Sequence, residues 1–339
     1  MQPFQEDITH TYLAAIENEL QGAIRHACEV GNLELYDMLA HHMGWSDAGK
    51  NSESRGKRIR PLFVLLVCSA AGGDWKKALP AAASVELIHN FSLIHDDIED
   101  RSPLRRGRAT VWKKWGIPQA INAGDAMFTM AHLHLLQLSD HLAHPVALEA
   151  IRILQRACLH LTEGQFLDLS FEKHTDVTID DYWRMVEGKT AALLSACTEL
   201  GALTALCDEN TRKYYRNFGR LLGLAFQAQD DLLGIWGDSA LTGKSNQSDL
   251  VTRKKTLPIL QGLSVSSQFR ARWNQGPIYP RDLKEIIALL EKDGIKSYSL
   301  IKTDELIKQA LDELDQAHPI GIPGEILKIL TLNLLHRQI

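Results

Sequence analysis

An all-α protein is predicted from three features of the sequence. Apolar residues recur at the three-and-four spacing of amphipathic helices along nearly the whole chain. No stretch alternates β-branched with polar residues between turn signals, as a series of strands would. Gly, Pro, Asn, Asp and Ser gather between the periodic segments, where loops belong. The expected architecture is a large helical bundle, in which functional side chains sit at helix ends or between facing helices.

In chain order, the periodicity predicts helices over 5–28, 31–44, 58–72, 76–98, 117–138, 145–171, 179–206, 209–237, 254–263, 281–292, 303–316 and 323–336. The run Pro61 to Gly72 is apolar but too short to span a bilayer, and the runs near Ala191 and Leu221 are broken by polar residues, so no transmembrane segment is expected. Three connections are long: Trp45 to Arg55, Arg101 to Ala109 and Ser239 to Thr252. The last two each follow an acidic helix end and are rich in basic residues. The segment Glu325 to Leu335 reads as an amphipathic closing helix. No Pro/Gly/Ser-rich linker interrupts the chain, so residues 1–339 are read as a single domain.

Composition narrows the class. Of 339 residues, 45% are hydrophobic and 23% charged, as in a globular protein with a substantial core. The formal net charge of -5 gives no sign of a nucleic-acid surface. Five cysteines, an odd number with no Cys-x-x-Cys spacing, suggest neither a disulfide framework nor a zinc site. That usage fits a reducing cytoplasm, and the acidic N-terminal stretch lacks the apolar core of a secretory signal.

The chemistry centres on His95-Asp96-Asp97-Ile98-Glu99-Asp100, with four carboxylates in five residues at the end of the periodic run from Leu79 to Ile94. On a helix, Asp96 and Asp100 stand one turn apart on one face, about 6 Å between their Cβ atoms. Like charges at that spacing repel unless a cation sits between them. A hard divalent ion with oxygen ligands answers the need, and magnesium fits best when a phosphate-bearing substrate completes its shell. A second acidic helix end follows at Gln227-Ala-Gln-Asp230-Asp231-Leu-Leu-Gly234. Two such ends in one bundle are how bundle cores hold several cations.

Basic groups accompany the acids: Lys57, Arg58 and Arg60 before one helix, Arg105, Arg106 and Arg108 after the first acidic end, Lys189-Thr190 inside an apolar helix, and Lys244, Lys254 and Lys255 around the second acidic end. Arginine forks bind phosphate oxygens bidentately and lysines act as point charges, so the combination describes a diphosphate site.

These motifs resemble the trans-type isoprenyl diphosphate synthases of the polyprenyl synthetase family, geranylgeranyl diphosphate synthases most of all. The match runs through Gly56-Lys57-Arg58-x-Arg60-Pro61, Glu86-Leu-Ile-His89, Asp96-Asp97-x-x-Asp100, Arg105-Arg106-Gly107, Gly164-Gln165-x-x-Asp168, Lys189-Thr190, Phe226-Gln227-x-x-Asp230-Asp231, Gly243-Lys244 and Asp249-Leu250-x-x-x-Lys254. The resemblance implies the all-α isoprenoid synthase fold around a deep central cavity, a homodimer, and three magnesium ions between the acidic helix ends. By similarity, Asp96, Asp100 and Asp230 are the main metal ligands, with Asp97, Asp231 and Gln165 in secondary or water-mediated contact. Arg105, Lys189, Lys244 and Lys254 would hold the allylic diphosphate, and Lys57, Arg60, His89 and Arg106 isopentenyl diphosphate. Thr190 and Gln227 would orient or stabilise the carbocation. His95 is read as supporting the site rather than as a ligand, because magnesium prefers oxygen.

One departure stands out. The family's second motif usually ends in a third aspartate, and Gly234 occupies that place, with Asp238 one turn on as a candidate substitute. The implied product is geranylgeranyl diphosphate: Phe91, five residues before Asp96, is a large side chain fit to floor the prenyl pocket, while Ser92 is small. Two other functions compete. A class I terpene cyclase would share the carbocation chemistry, but would carry an Asn/Ser/Glu metal triad in place of Asp230-Asp231 and would not need Lys57, Arg60 and Arg106. A catalytically silent partner subunit finds its support in Gly234 alone.

Overall fold

The structure, a computed structural model, describes residues 3–28, 33–46, 56–237 and 248–335. Sixteen α-helices carry it: α1 Pro3–Cys28, α2 Leu33–Met43, α3 Ile59–Ala70, α4 Leu79–Glu99, α5 Val111–Trp115, α6 Ile117–Leu135, α7 His144–Phe171, α8 Ile179–Val186, α9 Ala192–Thr204, α10 Glu209–Trp236, α11 Ser248–Thr252, α12 Leu257–Val265, α13 Ser267–Asn274, α14 Leu283–Lys292, α15 Ile295–Gln316 and α16 Gly321–Leu335. The all-α expectation is met. The sheet among the described residues is one small hairpin, β1 Leu104–Arg105 against β2 Arg108–Ala109.

Most predicted helices appear with shifted ends, the short helices α5 and α11 fall outside the predicted segments, and four further features differ. The predicted helix 179–206 is broken by a π-helical turn at Glu187–Ala191. Residues 295–302 extend α15 back to Gly294, whose φ of 77° marks a new helix start. Helix α13 begins where the Ser266 hydroxyl accepts from the Phe269 N–H, a cap that outweighs its weak apolar pattern. The loop from Arg101 to Ala109 contains the hairpin, turned at Arg106 (φ 51°) and Gly107 (φ 74°). Positive φ at both central residues is the signature of the tight turn that suits a twisted two-stranded ribbon.

Two compact units are distinguished. The first comprises residues 1–155, 196–212 and 318–327, and the second residues 156–195, 213–317 and 328–339. In the first, α4 packs along α6, and α1 and α3 pack on α4. Helix α4 is suited to its place by the small run Ala81-Ala82-Ala83-Ser84, fully buried and able to let neighbouring helices approach. Pro80 sits in its first turn, where a missing N–H costs nothing, and Asp74 caps the 3-10 turn ahead of it by accepting from Lys76 N–H at 3.1 Å. The second unit has its own apolar cluster, in which Ile235, Leu250, Ile259, Phe269, Trp273 and Leu290 meet.

A buried charge organises the first unit. Arg58, which precedes α3 with a left-handed φ of 48°, places its Nη1 2.9 Å from Glu86 of α4 and its Nε 3.2 Å from Glu17 of α1. Its Nη2 reaches the Met43 carbonyl at the end of α2, and Asn90 Nδ2 donates to Glu86 Oε1. Because Arg58 and Glu86 are 4% and 3% exposed, removing the guanidinium would strand a carboxylate in the core. Arg58→Met is expected to lower stability by about 3–5 kcal/mol, read as the shift of the urea unfolding midpoint.

Candidate active site

In the first unit the acidic end of α4 shows a division of labour. Asp96 and Asp100 are partly to fully accessible one turn apart, with Asp100 N–H closing the helix on Asp96 C=O at 2.8 Å. Asp97 is 2% exposed, and its Oδ1 accepts from both Nε and Nη2 of Arg105 at 2.8 Å. Its Oδ2 is buried without a hydrogen-bond partner among the described residues. Burial raises the Asp97 pKa, and Arg105 opposes that rise. His95 turns toward α6, 3.4 Å from the Ile121 carbonyl and 3.7 Å from Asp125.

The basic residues converge around the hairpin. Hairpin register sets Arg105 opposite Arg108 and leaves Arg106 at the turn. A Cβ on Gly56 would stand 2.7 Å from the Arg106 guanidinium, so that fork lies directly on the segment that leads through Lys57 into α3, whose first turn carries Arg60. Arg60 Nη1 is 3.3 Å from His89 Nε2. Burial first, then the charges of Arg60, Arg106 and Arg105, hold His89 well below the usual histidine pKa, so it is neutral and its Nε2 is an acceptor for Arg60. Arg60, His89 and Arg106 are thus brought together, with Lys57 exposed beside them.

On α4, Phe91 meets Phe128 of α6 edge to face, with ring centroids 5.0 Å apart, and also meets His95 at 5.6 Å. Phe128 in turn meets His132, the rings tilted at 55° with centroids 4.4 Å apart. Ser92 donates to the His89 carbonyl at 2.9 Å and adds little bulk. Phe128 was not legible in the sequence, because nothing in a helical pattern says which aromatic faces which.

The second unit holds the other set. Thr190 Oγ1 donates to Gln227 Oε1 at 2.9 Å, and Gln227 Nε2 donates to Asp231 Oδ1 at 2.9 Å. Asp231 Oδ2 accepts from the Tyr182 hydroxyl at 2.6 Å and from Leu257 N–H at 3.0 Å. Asp231 is 3% exposed, and burial pushes its pKa up to about 6 against these donors. Both of its oxygens are occupied by protein donors, whereas Asp230 is half-buried. Tyr182, absent from the sequence reading, is fully enclosed, and its distance of 49 residues from Asp231 in sequence hid the pairing.

Lys189 sits in the π-helical turn and pairs with Asp168 of α7 at 2.5 Å. Two glycines permit this: a Cβ on Gly164 would come within 2.0 Å of Lys189 N, and one on Gly188 within 2.5 Å of the His160 carbonyl. Backbone meets backbone there, and a π-turn aims Lys189 and Thr190 in directions that an unbroken helix would not. Lys254 is exposed, with its N–H on the Asp249 carbonyl at 3.0 Å. Lys244 and Asp238 lie outside the described residues.

Gly234 is explained by its neighbour. A Cβ there would stand 2.1 Å from Asp249 Oδ2, so the carboxylate of Asp249 fills the space a side chain at 234 would need. The space beside Gly234 of α10 is taken by a side chain of α11.

Among the described residues, no three His, Cys, Asp or Glu side chains form a ready-made metal cage. The donor set nonetheless fits magnesium, which takes one or two carboxylates and completes its shell with water and phosphate oxygens. The unpartnered buried Oδ2 of Asp97 beside Asp96 and Asp100 is in keeping with a cation at this helix end. No helix of the described residues is long and apolar enough to cross a membrane.

The sequence profile of the family described as Polyprenyl synthetase matches residues 47–290. A geranylgeranyl diphosphate synthase of Mycobacterium tuberculosis is 43% identical over 290 residues, covering 84% of this chain and 82% of that protein. A (2E,6E)-farnesyl diphosphate synthase of the same organism is 47% identical over 297 residues, covering 84% and 80%. The crystal structure of a geranylgeranyl pyrophosphate synthetase from Pyrococcus horikoshii superposes with a TM-score of 0.86 at 30% identity, covering 98% of this chain and all 100% of that one.

Two outcomes follow from this geometry. Gly234→Asp forces the Asp249 carboxylate from its place and sets like charges together; a loss of about 1–3 kcal/mol is expected in thermal unfolding, and Asp249→Ala in the same chain should recover part of it. The second concerns His42 of α2, whose pKa is lowered to about 3 by burial and by the charges of Arg105, Arg106, Arg58 and His41. The unfolded chain protonates His42 near its ordinary value while the folded chain refuses the proton, so stability from this group is full above that value and falls as pH drops toward about 3. Between pH 7 and 4, as an approximate window, the melting temperature of His42→Gln should fall less than that of the wild type.

Proposed function

The chain belongs to the polyprenyl synthetase family as a short-chain prenyltransferase, and from that premise we propose that it condenses isopentenyl diphosphate with an allylic diphosphate to form geranylgeranyl diphosphate. The observation that carries this reading is the convergence of Arg60, His89 and Arg106 beside the acidic end of α4, a cationic cradle next to metal-suited carboxylates. A cyclase acting on one diphosphate has no use for that second cradle.

In this reading Lys57, Arg60, His89 and Arg106 bind the diphosphate of isopentenyl diphosphate, the neutral His89 adding polar contact without adding positive charge. Arg105, Lys189, Lys244 and Lys254 bind the allylic diphosphate. The C1–O bond of the allylic substrate breaks and its electron pair leaves with the diphosphate, whose negative charge the lysines and arginine neutralise. The double bond of isopentenyl diphosphate then supplies the pair for the new C1'–C4 bond. The resulting cation loses a C2 proton to the departed diphosphate, so no side-chain base is required. Thr190 and Gln227, tied to each other, orient their oxygens toward the developing positive charge.

Asp96, Asp100 and Asp230 are assigned as the residues that would hold magnesium, three ions in all by analogy, and the metal would supply Lewis-acid neutralisation of diphosphate charge. Asp97 and Asp231 act differently from their neighbours: Asp97 aims Arg105, and Asp231 anchors Gln227 and Thr190. Asp249 fills the space beside Gly234 and keeps its carboxylate near Asp231. The whole of residues 1–339 is one synthase domain in this reading, active in the cytoplasm as a homodimer; exposed Leu133, Leu136 and Leu148 on and after α6 favour self-association.

Relatives of similar identity are named for both farnesyl and geranylgeranyl diphosphate, so the product rests on Phe91, Phe128 and Ser92. Two edge-to-face rings make a firm floor, while Ser92 leaves the wall above it open. Phe91→Ala and Phe128→Ala should each yield products longer than geranylgeranyl diphosphate when labelled isopentenyl diphosphate is incubated with allylic primers and magnesium. An unchanged chain-length profile for both variants removes the floor. Cyclic hydrocarbon from a single substrate, or no turnover from folded protein, would instead favour a cyclase or a silent subunit.

A further inference from the structure

Tyr182 stands near the start of α8, and Thr190 in the π-turn that follows that helix. Eight residues overrun two turns of an α-helix by about 80°, and the extra residue that a π-turn takes up closes most of that gap. Both side chains therefore reach α10, where Asp231 and Gln227 lie one turn apart on one face. The hydrogen bonds among these four residues run in one direction. Tyr182 O–H and Leu257 N–H both donate to Asp231 Oδ2, at 2.6 Å and 3.0 Å, which leaves Oδ1 for the Gln227 amide nitrogen. The Gln227 Oε1 is thereby turned to Thr190, whose Oγ1 donates to it at 2.9 Å. The reverse setting of that amide would press Oε1 against Asp231 Oδ1, two acceptors with no hydrogen between them. Tyr182 is 1% exposed, so it acts on a substrate only through this chain.

We propose that Tyr182 is a positioning residue for prenyl transfer: by locking the Asp231 carboxylate it commits the Thr190 hydrogen to the protein and turns the Thr190 oxygen lone pairs toward the allylic substrate. The inference rests on the synthase reading for the identity of that substrate. A hydroxyl with its hydrogen free presents partial positive charge, and one whose hydrogen is committed presents partial negative charge. The second arrangement alone stabilises an allylic cation, and a chain set in advance needs no reorganisation as the charge develops. Burial of Tyr182 and Asp231, 1% and 3% exposed, strengthens each link against reversal.

The test uses the full chain with magnesium, isopentenyl diphosphate and geranyl diphosphate. Tyr182→Phe deletes one donor and keeps the ring. It is expected to lower kcat by about 3- to 10-fold with both KM values near wild type, because no group that holds diphosphate is touched. On a Thr190→Val background no hydroxyl remains to be turned, and there Tyr182→Phe is expected to change kcat by less than about twofold. A merely structural role lowers kcat by the same factor on both backgrounds. Asp231→Asn is the second variant, sufficient by itself should Tyr182→Phe fail to fold. Its amide oxygen must accept from Tyr182 and Leu257, so its nitrogen faces Gln227, the Gln227 amide turns over and the Thr190 hydrogen is driven outward. A kcat lower by about 10-fold or more, again only where Thr190 is present, is expected. Wild-type kcat in either variant, KM values that rise in place of a fall in kcat, or equal losses on both backgrounds overturn the inference while the synthase reading stands. A wild-type protein that joins no substrates rejects that reading, and the role of Tyr182 with it.

Discussion

The first unit depends on the ion pair between Arg58 and Glu86. A guanidinium that is buried must be saturated, and Arg58 achieves this by reaching α1, α4 and the end of α2 at once. The cost of desolvating it is offset only if all of those partners hold their places. Its backbone φ of 48° is the conformation that lets the side chain turn inward while the flanking Lys57 stays outward. One inward charge therefore orients the outward ones, and the same logic recurs in each charged motif. Asp97 is buried against Arg105 between the more accessible Asp96 and Asp100. Asp231 is buried under Tyr182 and Leu257 N–H beside the more accessible Asp230.

Paired charges in these motifs are thus unequal partners. A buried carboxylate with protein donors on both oxygens is a poor candidate for exchangeable metal contacts, yet it is a stiff support for what hydrogen-bonds to it. Asp231 holds Gln227, and Gln227 holds Thr190. Low local dielectric strengthens such a chain and makes an interruption costly. Backbone contact performs the comparable task for Lys189: glycines at 164 and 188 let α7 touch the π-turn, and the turn in the helix directs the lysine toward Asp168.

The glycine in the second acidic motif is a matter of packing rather than of local spacing. Read along α10, Gly234 looks like a lost carboxylate. Read in three dimensions, the Asp249 side chain occupies the volume above it, so negative charge at that point is retained from another helix. The glycine therefore has a steric reason to stand at this position.

Helical periodicity and charge spacing determined, by themselves, that the protein is all-α, that acids stand at two helix ends, and that arginines and lysines accompany them. Those are properties of local spacing, carried by residues three or four apart; the family came from the resemblance of the motifs. Periodicity did not reveal the π-turn at 187–191, since one inserted residue hardly alters an apolar stripe, nor the start of α15 at Ile295. Which aspartate of a pair turns inward, which aromatic on α6 meets Phe91, and that Asp249 covers Gly234 were decided by tertiary packing. Each depends on contacts between residues far apart in sequence, 49 for Tyr182 and Asp231, and a helix pattern specifies which face is buried but not what waits on the other side.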